Sequence, residues 1–137
     1  MSLVAITKNV NLVYYGGFSV GMLVGASTMF GEESPIMMNY WKMSKFGTGA
    51  KQVINWAFRL VPMITLPWLL GPTLGCPDKT YLQQSLLVSG LVSILNVQAL
   101  LGGLAESVDN MFLWKMNMVN QLSLGALTYA AYKQATK

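Results

Sequence analysis

"NVNLVYYGGFSVGMLVGASTMFG", residues 9–31, contains no acid, no lysine and no arginine. That uncharged length exceeds the roughly 20 residues a helix needs to cross the hydrocarbon core of a bilayer. Glycines stand at 17, 21 and 25, one every four residues. In water each would be less favourable than alanine inside a helix by about 1 kcal/mol. In a membrane the same interval makes a shallow groove where another helix backbone can approach closely. The stretch therefore reads as a transmembrane helix, over 10–30, with a packing face.

The rest of the chain agrees with that solvent. A second gap without acid, lysine or arginine runs over 80–105. Of the 137 residues, 53% are hydrophobic and only 10% are charged, and the mean hydropathy is +0.45. Soluble domains usually carry about 25% charged residues. The length suits one domain, so the expectation is a single polytopic membrane domain over 1–137.

Four spans are predicted, over 10–30, 52–70, 81–104 and 112–132, making an all-α bundle with short loops. After the first comes "GEESPIMMNYWKMSKFGTGAK", residues 31–51, where Tyr40 and Trp41 stand beside Lys42 and Lys45. Aromatics beside lysines suit a membrane interface, so this segment is expected to lie along the surface. The second span carries Arg59, Pro62 and Pro67, and its prolines predict a kink because each removes a helix hydrogen bond. "LLGPTLGCPDKT", residues 69–80, is a turn. The fourth span is crowded in its first half by Lys115, Asn117, Asn120 and Gln121. With four spans both termini share a side, and the lysine count does not decide which side is cytoplasmic. The opening "MSLVAITKNVN" lacks the Arg- and Ser-rich character of a transit peptide, so the first span is expected to be its own uncleaved targeting signal.

Several chemistries are removed by composition. There is no histidine, hence no imidazole ligand for haem, copper, zinc or iron and no histidine general base. The single cysteine, Cys76, forms no disulfide within the chain and no thiolate cluster. Glu32, Glu33, Asp78, Glu106 and Asp109 all fall in loops or at span ends, which leaves no acidic ion path through the bilayer. No basic run interleaves with aromatics, so nucleic acid is not an expected partner. No metal, catalytic residue or cofactor is expected, apart from a structural phospholipid of the cardiolipin kind.

Residues that could meet a lipid or partner are Arg59, Trp41, Lys42 and Lys45. Ser85, Ser89 and Ser93 repeat the four-residue interval in the third span, so their face is expected to pack against Gly17, Gly21 and Gly25 inside the bundle, the alternative being a glycine groove turned outward to a partner subunit. Asn96 and the Asn120–Gln121 pair are placed to bond across helices. Ten methionines offer a soft surface for irregular neighbours. These features point to a non-catalytic accessory subunit of a multi-subunit membrane complex, of the respiratory or ATP synthase type. The mitochondrial inner membrane is the expected location, with thylakoid and bacterial inner membranes as alternatives. Competing readings are a small four-helix oxidoreductase holding quinone or haem without histidine, and a small oligomeric transporter or channel.

Overall fold

Ser2 starts the first helix by accepting the Ala5 N–H at 3.2 Å on its side-chain oxygen. Such a cap satisfies one of the donors a helix leaves open at its N-terminus. Helix α1, Leu3–Asn11, therefore begins seven residues before the expected span and takes Lys8 into its body. It runs through a π-helical turn, Leu12–Gly16, into α2, Gly17–Gly25. The other elements are α3 (Thr48–Leu70), a 3-10 turn (Gly71–Leu74), α4 (Asp78–Leu101) and α5 (Met111–Ala135).

These elements come from a computed structural model that describes residues 1–25, 45, 47–101 and 110–136. The fold is all-helical, with no strand among the described residues. Most of the expected interfacial segment, including Trp41 and Lys42, lies outside them, as do Glu32, Glu33, Glu106 and Asp109. The side chain of Arg59 lies outside them too. Among the described residues, one helix, Asp78–Leu101, is long and apolar enough to cross a membrane.

The π-turn has a geometric consequence. Four-residue steps drift by about 40° each on a helix of 3.6 residues per turn. Thr7, Asn11, Tyr15 and Ser19 step by four, yet all are buried. The wider i→i+5 turn between Asn11 and Gly17 unwinds the helix locally and takes out part of that drift.

Helix α1 packs on α5, α2 on α3, and α4 on α5. The turn between α3 and α4 closes with the Cys76 N–H donating to the Gly71 carbonyl at 2.9 Å. Gly75 supplies the left-handed residue there, at φ +87°, which a side chain adopts only under strain. Two small apolar clusters complete the packing. One joins Tyr15, Leu69 and Leu124; the other joins Tyr81, Leu82 and Ala131.

Candidate functional site: a polar seam between helices

Among the described residues, polar side chains share the interior equally with apolar ones. Thr7, Asn11, Ser19, Ser85 and Thr128 are almost fully buried, while Val13, Ile64, Leu87, Leu95 and Phe112 stand more than half exposed. Water-soluble folds arrange these residue types the other way round.

The seam can be followed from α1–α2 across to α4, where individual side chains of the two meet. At one end Lys8 forms an ion pair with Asp78. One turn on, Asn11 and Ser85 both face the Tyr81 hydroxyl, and further along Tyr15 faces Ser89. The Asn11 Nδ2 and the Tyr15 hydroxyl complete no hydrogen bond within the described residues. Trp68 of α3 wedges between the two helices. Its Nε1 donates to the Ser85 Oγ at 3.2 Å, and its ring stacks on Tyr81 at 5.9 Å between centroids. Ser19 and Thr65 share a hydrogen bond at 2.7 Å, tying α2 to α3. On the α5 side, Tyr14 bonds to Asn117, and the Asn96 Nδ2 donates to the Gln121 Oε1 at 2.6 Å.

Four hydroxyl protons of this seam are committed to their own helices. Thr7 donates to the Leu3 carbonyl, Ser85 to Tyr81, Ser93 to Ser89 and Thr128 to Leu124, all at 2.7–2.8 Å. A hydroxyl bonded back to its own helix offers neighbours a lone pair rather than a mobile proton. Asp78 is the one acid among the described residues, and Lys8 engages it. No group of three metal-ligating side chains occurs among the described residues. The arrangement joins helices; it contains no nucleophile with an adjacent base.

The expected pairing of the glycine and serine faces does not form. A Cβ on Gly17 or Gly21 would meet nothing within 4 Å. The Ser19–Thr65 bond turns α2 onto α3 through its polar face, which leaves those glycines open. Ser85 meets Trp68 and Tyr81 instead, and Ser89 lies against Gly125, where an added Cβ would sit 3.5 Å from the serine's own. Ser93 is half-buried, Gly25 ends α2, and Lys45 is exposed. Arg59 falls at the midpoint of α3, deeper than the expected span implied, because the helix starts at Thr48.

Residues missed by sequence reasoning are Thr7, Asn11 and Trp68. The first two were within reach, since Thr7, Asn11, Tyr15 and Ser19 repeat at the same interval as the glycines. Compared with known proteins, the chain matches no family model, and no curated relative or solved structure is similar to it.

Proposed function

We propose that the chain is a polytopic membrane protein that crosses the bilayer with four helical segments and serves as a non-catalytic accessory subunit of a membrane complex. The observation that carries this reading is the spread of large apolar side chains over the outside, with leucine, valine and isoleucine exposed on every long helix, while hydroxyls and amides take up half of the enclosed positions among the described residues. In lipid, exposed apolar side chains carry no penalty, and helices are held by packing and interhelical hydrogen bonds. Helices α3, α4 and α5 have 23, 24 and 25 residues. At 1.5 Å per residue each spans about 35 Å, enough for a hydrocarbon core of roughly 30 Å. Interhelical bonds at Trp68–Ser85, Ser19–Thr65 and Asn96–Gln121 support a role in joining helices. An energy-converting complex of the mitochondrial inner membrane remains the setting we favour, on the small size and apolar character of the chain.

The test is extraction from native membranes with alkaline carbonate, then with mild detergent, followed by native electrophoresis. The reading expects resistance to carbonate and co-migration with a large complex. Release by carbonate overturns the membrane assignment. Migration as a small homo-oligomer, or with a bound quinone or haem, overturns the accessory role in favour of transport or redox chemistry.

A further inference from the structure

Helix α4 buries one side and leaves the other open. Leu82, Ser85 and Ser89 are buried, where α4 meets α5 and the Trp68 ring. At about 100° per residue, Gln84, Leu87, Leu91, Ile94, Gln98 and Leu101 fall about 180° round the helix from that side. All six are exposed, the four apolar ones by 52–83%. Gln84 and Leu87 also line the cleft between α3 and α4, and they are open there. Steps of three and four residues alternate along the strip. That is the a/d spacing by which two helices wind round each other, with Gln84, Leu91 and Gln98 at the a positions.

We infer that this strip is the contact between two copies of the chain, whose parallel α4 helices pair Gln84 with Gln84 and Gln98 with Gln98. The inference rests on the membrane reading above. It is independent of the accessory role, because the pair forms whether the copies stand alone or inside a larger complex.

The two amides decide the occupant. Neither completes a hydrogen bond among the described residues. With α4 centred in a hydrocarbon core of roughly 30 Å, Gln84 lies about 7 Å inside it and Gln98 about 2 Å. Lipid tails neither donate nor accept, and a polar group left unpaired among them is costly. A primary amide does both, so its own copy is its complement.

Symmetry supplies that copy. Chains of one sequence enter the bilayer in one orientation, so the axis relating two neighbours runs along the membrane normal and their α4 helices are parallel. In a parallel pair each a or d residue meets its counterpart, and a polar residue at an a position fixes the register. Sliding by one heptad would set the amides against Leu91. The strip carries no charge, so like copies meet without repulsion.

The test places single cysteines in the full chain with Cys76→Ser, oxidises native membranes, and reads masses on a non-reducing gel. Leu91→Cys should give a disulfide-linked product of twice the chain mass; Ile94→Cys does the same should the first variant misfold. Val119→Cys, exposed on α5, should stay monomeric. Energy transfer between labelled chains in mild detergent then measures the amides. Gln98→Leu should weaken association roughly three-fold, the scale of one interhelical hydrogen bond in a membrane. Gln84→Leu with Gln98→Leu should weaken it further. No linked product from either strip cysteine, a product of strip cysteine and a different chain, or equal linking through Val119→Cys overturns the inference. Undiminished association of the double glutamine variant overturns it as well. All four outcomes leave the membrane reading standing, whereas release of the chain by alkaline carbonate from the same membranes overturns that reading itself.

Discussion

Lys8 and Asp78, seventy positions apart in sequence, form an ion pair between α1 and the N-terminus of α4. Asp78 also lies in the first turn of α4, where a negative charge meets the positive end of the helix dipole. Half of the carboxylate is exposed, so solvent screens the pair. Asp78→Asn should therefore lower stability by only about 0.2–1 kcal/mol from the pair, with a similar share from the dipole. A double-mutant cycle with Lys8→Met, read by thermal unfolding in detergent, separates the two. Additive losses would mean that the pair itself contributes nothing.

The Trp68–Ser85 bond lies deeper and carries more. Ser85→Ala removes the acceptor of the indole N–H beside Tyr81, at a site closed to solvent. An unsatisfied buried donor costs about 1–3 kcal/mol. Thermal unfolding should show that loss in Ser85→Ala, and a much smaller further loss when Trp68→Phe is added to it. Indole fluorescence of the single variant should shift as well. A full additional loss in the double variant would show that the two side chains act independently.

How far the fold could be read from the sequence follows from the range of each signal. The uncharged stretch over 80–105 marked α4, and "GPTLGCPD" marked the turn before it, because both signals depend on neighbouring residues alone. Asn96 and Gln121 stood out as bonding partners because an amide in an apolar helix needs one. The start of α1 was misjudged because Lys8 looked like a boundary, whereas the Ser2 cap had already begun the helix. Two ladders with the same four-residue spacing share α1–α2, one of glycines and one of polar groups. Periodicity cannot say which of them faces inward; the Ser19–Thr65 contact decides it, and that contact joins residues 46 apart.

Those two ladders make opposite predictions for glycine substitutions. Gly125 is packed within the chain, so Gly125→Leu should force α4 and α5 apart and destabilise the isolated protein by about 1–3 kcal/mol. Gly21 has open space around its Cβ position, so Gly21→Leu should leave the isolated protein's Tm unchanged. Under the accessory-subunit reading the same variant should lower incorporation into the complex. Quantifying both variants in detergent and in assembled complex checks this. Unchanged assembly of Gly21→Leu would remove the glycine face as a subunit contact.

Arg59 bears most directly on the proposed role. It stands eleven residues from each end of α3, about 16 Å of helix in either direction. The guanidinium keeps its charge in a protein, and a charge at a helix centre costs some 2.5–3.5 kcal/mol even on insertion scales. Asp78 is engaged by Lys8, and the chain's other acids, Glu32, Glu33, Glu106 and Asp109, lie outside the described residues. Under the accessory-subunit reading, a carboxylate of a neighbouring subunit or a lipid phosphate would answer that charge, since either accepts the two parallel hydrogen bonds of a planar fork. Arg59→Leu is therefore expected to reduce the amount of this chain in the assembled complex, while Arg59→Lys retains part of it. Activity per assembled complex should stay at the wild-type value in both. Full assembly of Arg59→Leu with lost turnover would instead put Arg59 in a working site, and the accessory role would fall.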